Sequence, residues 1–168
     1  MMLDVKPSFN KLCDSCKHQS CCTDSAEPLV FEGDYKRLKK IEKTSEKYLH
    51  WRNVKGKKVM ALNKKKDSTQ CIFWDENKKN CSIYEHRPFD CRAYPFDILR
   101  VNNKFHWIVY SCNPDSDWKW TNTYLEMFEN DESFEEIRKN MATFSDNTEL
   151  ILPEEEKKTE YTVLREVR

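Results

Sequence analysis

The chain has 168 residues, enough for one ordinary domain with room for a small appendage. Charged residues make up 35%, hydrophobic ones 38% and aromatic ones 12%, a balance that reads as a soluble, compact fold and excludes a disordered chain. Net charge is zero, no run of about 18 apolar residues occurs, and the only glycines are Gly33 and Gly56, which excludes phosphate-cradling loops of the GxGxxG and GxxxxGK types.

In chain order, the first 27 residues are cysteine-rich, polar and aperiodic, and read as a loop wrapped on a metal. Residues 29–31 read as a short extended piece and 32–34 as a turn, with the Asp34 carboxylate capping a helix. That helix carries Tyr35, Leu38 and Ile41 on one face and runs to about Lys43. A second helical stretch is expected around Tyr48, Leu49 and Trp51. Residues 58–62 read as a strand and 63–69 as a charged loop. Residues 71–74 and 81–84 form two short strands or knuckles around the turn 75–80, each starting with a cysteine. Pro88 suits the first turn of a short helix, and Pro95 ends it near Ala93. Residues 96–101 and 104–110 flank Asn102-Asn103, which tolerate positive φ and predict a two-residue hairpin. Helical spacing then returns at Tyr124, Leu125 and Phe128. Ser133 with Glu136 makes a capping box for a helix carrying Phe134, Ile137, Met141 and Phe144. Tyr161, Val163 and Val167 fit a last strand or a docked tail.

The expected fold is α+β: a small single domain with short strands or a hairpin and several helices, organised around cysteine-ligated metal. Residues 1–115 are expected to form the cysteine-cluster metal-binding domain, and 116–168 a helical C-terminal extension packed on it.

Charge is unevenly placed. Residues 36–66 hold 13 Lys and Arg against two Glu, whereas residues 115–168 hold 15 acids against seven bases. A basic stretch attracts phosphate or an acidic partner. The plainer reading, favoured here, is a solvated face turned towards the acidic tail of the same chain.

The eight cysteines are Cys13, Cys16, Cys21, Cys22, Cys71, Cys81, Cys91 and Cys112. The N-terminus carries no apolar run of the export type, so the expected compartment is the cytoplasm, with no membrane partner. Thiols in a reducing compartment point to metal ligation before disulfides. Eight is twice the four thiolates that one zinc ion or one four-iron cluster takes. A CxxC is compact enough for Cys13 and Cys16 to share a site. The adjacent Cys21 and Cys22 point to opposite faces of an extended segment, so they need not serve one ion. The CxxxCxxC of radical sulfonium enzymes, HExxH and GxSxG are all absent. His18 and His86 lie close enough in sequence to the cysteines to touch a site, whereas His50 and His106 read as ordinary residues.

The stretches CDSCKHQSCC and CSIYEHRPFDCRAYPF resemble the cysteine-cluster family of zinc- or iron-chelating domains, whose hallmark is CxxC with a trailing CC, then CxIYxxRPxxCRxxPF. Cys81, Ile83, Tyr84, Arg87, Pro88, Cys91, Arg92, Pro95 and Phe96 match the second motif. Asn80 stands where that family often has glycine and is expected to take the left-handed turn. One branch of the family includes the flagellin lysine methylase, a larger chain linked to an iron–sulfur cluster. The resemblance implies a protein that ligates metal through its cysteines, with an iron–sulfur cluster (4Fe–4S) or zinc as cofactor. Its role would be redox, sensing or support of a larger enzyme. Two other readings stand beside it. One is a small protein-modifying enzyme, such as a lysine methyltransferase using the cluster. The other is a structural zinc module that presents residues 36–66 to nucleic acid or an acidic protein. Arg87 and Arg92 are expected to donate to the anionic thiolate site from outside the ligand set, or else to pair with Asp90 or Asp97.

Overall fold

The computed structural model describes residues 27–42, 47–110, 121–151 and 161–168. The fold is α+β, with three small antiparallel sheets and five α-helices among those residues. No helix among them is long and apolar enough to cross a membrane.

Strand β1 (Leu29–Val30) leads into helix α1 (Glu32–Ile41). The helix starts two residues earlier than Asp34. Asp34 therefore does not precede the helix as its cap; it sits in the first turn, and its carboxylate reaches back to accept the Phe31 N–H at 3.3 Å. The helix spans Gly33 as well, whose N–H donates to the Glu136 carboxylate at 3.0 Å. An acid at a helix N-terminus satisfies a donor that has no partner within the helix.

The second helix expected around Tyr48 to Trp51 is instead a strand. Strands β2 (Leu49–Val54) and β3 (Lys57–Leu62) form a hairpin closed by Lys55 and Gly56, with φ of 47° and 89°. Three apolar residues within four positions fit either periodicity. The decision falls to the tight turn and to β3, which pairs with β2 along its whole length and with β1 on its other edge, giving the order β1-β3-β2.

Two-residue strands β4 (Trp74–Asp75) and β5 (Asn80–Cys81) make a ribbon. A 3₁₀ turn (Tyr84–His86) and helix α2 (Phe89–Ala93) follow, the helix bounded by Pro88 and by the cis Tyr94–Pro95 peptide, as the prolines predict. Strands β6 (Phe96–Val101) and β7 (Lys104–Tyr110) form the expected hairpin, with Asn102 and Asn103 at φ of 50° and 64°. Strand β8 (Tyr161–Glu166) pairs with β7, so the sheet order is β6-β7-β8.

Helix α3 spans Thr121–Glu129. The helix expected from Ser133 through Phe144 is split into α4 (Phe134–Lys139) and α5 (Met141–Ile151). Asn140 interrupts it, donating its side-chain amide to the Glu136 carbonyl at 2.8 Å. That local bond competes with continuation of the helix. Ser133 makes no side-chain capping bond; its hydroxyl donates to Asp131 at 2.5 Å and accepts from Arg92 at 2.9 Å.

Two buried clusters organise the molecule. The larger is aromatic: Phe89, Phe96, Trp107, Phe128, Phe134 and Phe144 interlock with Leu29, Ile98, Val109 and Ile137. Trp107 stacks on Phe134 at 5.6 Å, and Phe89 meets Phe128 edge-on at 5.9 Å. Such pairs add to the area they bury. The smaller cluster is Val30, Leu38, Tyr48 and Leu62, with Cys71, Ile72, Phe73, Ile83 and Cys91 packed against it. Alternation along β1 sends Leu29 into the first cluster and Val30 into the second, so this strand joins them.

Candidate metal centre

Three of the predicted ligands lie in the described structure, each on its own short element. Cys71 makes an isolated antiparallel bridge with Lys64, and its carbonyl accepts the Trp74 N–H at 3.0 Å, turning the chain into the ribbon. Cys81 lies opposite Trp74 at the end of the ribbon. The turn between them is built by Asp75, whose Oδ1 accepts the N–H groups of Asn77 at 2.9 Å and Lys78 at 3.1 Å. The residue with positive φ there is Lys79 (φ 48°) and not Asn80, which already belongs to β5. The Ser82 N–H donates to the Phe73 carbonyl at 2.8 Å and holds the two halves together.

Cys91 comes from α2. Phe89 and Ala93 are one turn apart on the face buried in the aromatic cluster. Cys91 is two residues on from Phe89, about 200° round the helix, and so faces the second cluster and the other two cysteines. Helix α2 is pinned by two carboxylates. Asp34 accepts the Phe89 N–H at 3.1 Å, and Asp90 accepts the Leu29 N–H at 2.7 Å. Sequence reasoning missed this role of Asp34 and Asp90. Only the helix start was visible as a signal for Asp34, because its second partner lies 55 positions away.

The three sulfurs act on one another. Burial raises the Cys71 and Cys81 thiols above their usual value of 9.0. Cys91 stands well above it, through burial first, then the neighbouring Asp90, Cys71 and Cys81. Asp90 is itself raised, by burial and by Asp97. Opposing this, the Arg87 guanidinium lowers both Cys81 and Cys91. Arg87 lies over the Tyr84 ring at 3.8 Å, and its Nε donates to the Tyr84 carbonyl at 2.9 Å. It thus lies close to the thiols, and no bond to Asp90 or Asp97 is formed. Arg92 turns elsewhere: it donates to Ser133, pairs with Asp131 at 3.5 Å and lies over the Phe89 ring at 5.6 Å. His86 is exposed, His50 faces Asn63 and Glu27, and His106 faces the Lys104 carbonyl.

Cys13, Cys16, Cys21, Cys22 and Cys112, with His18, lie outside the described residues. Among the described residues, no group of three or more His, Cys, Asp or Glu is close enough to hold a metal ion by itself. The chemistry of Cys71, Cys81 and Cys91 nevertheless suits a soft cation. They are thiols held near one another in apolar surroundings, where their ionised forms need positive charge.

The model of the CxxCxxCC family, described as a "putative zinc- or iron-chelating domain", matches residues 12–113. The chain belongs to that family. The matched span holds all eight cysteines and every described element from β1 to β7. Helices α3 to α5 and strand β8 lie beyond it, yet Phe128, Phe134 and Phe144 complete the aromatic cluster on which α2 rests. No solved structure matches the chain.

Proposed function

We propose that this member of the family holds its metal through thiolates. Cys71, Cys81 and Cys91 supply one part of the ligand set, and Cys13, Cys16, Cys21, Cys22 and Cys112 the rest. The metal is iron, in a cluster of the 4Fe–4S type. One observation carries the reading: Cys71 and Cys91, twenty positions apart on a bridge and a helix, pack on one apolar cluster, and Cys81 of the ribbon lies close enough to act electrostatically on both. A core assembled for packing alone gains nothing from setting three raised-pKa thiols against one another.

An iron–sulfur cluster, when bound, supplies one-electron transfer. The chain's own residues prepare the place for it. Leu38, Tyr48, Phe73 and Ile83 keep water from Cys71 and Cys91. Arg87 offers the nearby positive charge that favours ionised sulfur. Arg92 supports the site from further away by anchoring α2 to Asp131 and Ser133. The role that follows is electron transfer, sensing, or support of a larger enzyme.

Anaerobic purification with iron, sulfide and zinc analysis and a visible absorption spectrum tests the proposal. Iron and sulfide in equal amounts with broad visible absorption are expected. A colourless protein carrying only zinc would overturn the iron assignment and leave the thiolate site. Stoichiometric loss of all metal, with every thiol free to alkylate in the folded protein, would overturn both.

A further inference from the structure

The acidic half of the chain was expected to face the basic segment. Among the described residues it does so at one place, where Lys55 pairs with Asp146 and Glu149. Lys36, Arg37 and Arg52 pair with Glu32, Asp34 and Glu27. Lys39, Lys40, Lys57, Lys58, Lys65 and Lys66 have no acid within ion-pair distance among the described residues.

One of these lysines, Lys58, shares a sheet face with an unusual aromatic. Trp51 is 68% exposed, at the middle of β2, an edge strand of its sheet. Pairing places Trp51 opposite Met60 and Asn53 opposite Lys58. By alternation, Leu49, Trp51, Lys58, Met60 and Leu62 share one sheet face. Leu49, Met60 and Leu62 from that face pack on the cluster that carries the cysteines. The indole is therefore on the same face as the candidate metal centre but projects into water, with Lys58 diagonally across the hairpin on that face.

We propose that this face of the β2–β3 hairpin binds single-stranded nucleic acid, with the Trp51 indole stacking on a base and Lys58, exposed on the same face, contacting a phosphate. An exposed aromatic amid cations is the combination that holds single strands, because every base offers a π-face and every linkage a negative charge. The choice of cation separates this from an acidic protein partner. Protein interfaces are enriched in arginine and depleted in lysine. Here each arginine of residues 36–66 already has a carboxylate partner, and the cations without an acid within ion-pair distance among the described residues are lysines, the six named above among them. This surface is independent of the metal's identity, so metal content measured on the same samples separates failure of one proposal from failure of the other.

The test is fluorescence anisotropy of a labelled single-stranded oligothymidylate titrated with the full, metal-loaded chain over about 50–200 mM salt. Affinity should fall with salt, with a slope of log K on log salt of about −0.7 per phosphate contacted. Lys58→Glu should flatten the slope by at least about 0.7, whereas Lys57→Glu, on the opposite face, should change it less. Trp51→Ala should weaken binding on the order of tenfold to a hundredfold at unchanged slope, with partial recovery in Trp51→Phe. Both sites are exposed, so the variants should melt like the wild type. Absence of binding, equal binding by all variants, or preference for a polyglutamate competitor over the oligonucleotide would each overturn the proposal.

Discussion

Replacing Cys91 separates ligation from packing. If the thiol only fills the second cluster, Cys91→Ala removes one half-buried sulfur, at a cost of roughly 1–2 kcal/mol that does not depend on metal. If the thiol is a ligand, the variant also loses its share of the metal-coupled folding energy. A structural site with four donors contributes about 10–16 kcal/mol, so one donor accounts for roughly 3 kcal/mol. The deficit should then be about 4–5 kcal/mol in the metal-loaded protein and fall to about 1–2 kcal/mol after chelation. Denaturant unfolding of wild type and variant, each loaded and stripped, with metal counted in every sample, measures this. Cys81→Ala, on the ribbon and outside the main core, serves where Cys91→Ala does not fold. Equal deficits with and without metal would refute the ligand assignment. The pH dependence gives a second check. The folded thiols are raised, so they bind protons that metal must displace. Affinity should therefore tighten as pH rises towards the thiol range, by up to about tenfold per pH unit for each proton released. A flat profile would sink the thiolate reading.

Other outcomes follow from particular contacts. Arg87→Gln removes the charge that lowers Cys81 and Cys91, and should weaken metal binding about 10- to 100-fold with the fold intact, read by competition with a chelator. Glu129→Gln breaks an acid held by both Arg165 nitrogens at 2.8 Å, the Trp107 Nε1–H at 2.9 Å and the Arg168 N–H at 2.9 Å. Because Arg165 reaches solvent, the expected loss is about 2–3 kcal/mol, below that of a fully buried pair. Burial pushes Glu129 up, but those donors outweigh it and leave its pKa below 4.5. Its stabilisation is thus present above that value and lost as pH falls through the lower folded one, so the variant's deficit should shrink in acid. A deficit constant with pH contradicts this. Gly33→Ala sets helix propensity, favourable by about 1 kcal/mol, against a Cβ that would lie 2.8 Å from Glu136 Oε2 and displace that carboxylate. The two effects should leave stability within about 1 kcal/mol of wild type. In a Glu136→Ala background the same change should become stabilising; destabilisation there would show that the crowding lies elsewhere.

Much of the fold was legible where local chemistry decides it. Pro88 and Pro95 bracket α2, and the two asparagines close the β6–β7 hairpin, because restricted or positive φ needs no distant partner. The turn between Cys71 and Cys81 was legible for the same reason, but neither strand starts with its cysteine: Cys71 precedes Trp74–Asp75 on an isolated bridge, Cys81 ends Asn80–Cys81, and the left-handed position fell to Lys79. The strand β2 was not, because Tyr48, Leu49 and Trp51 satisfy either period and the pairing partner β3 settles the matter. The Ser133 capping box failed because Arg92, 41 positions away, takes its hydroxyl.

For the candidate site, the sequence by itself determined the family and which residues are the candidate donors, since the residue types and their spacing carry both. What tertiary structure alone decided is which donors meet. Cys91 faces Cys71 and Cys81 because Phe89 and Ala93 are drawn to the aromatic cluster, which rotates α2 so that the thiol points the other way. Arg87 faces the sulfurs while Arg92 is claimed by Asp131 and Ser133. No motif separates two arginines five positions apart; the packing of helix α2 against the rest of the chain does.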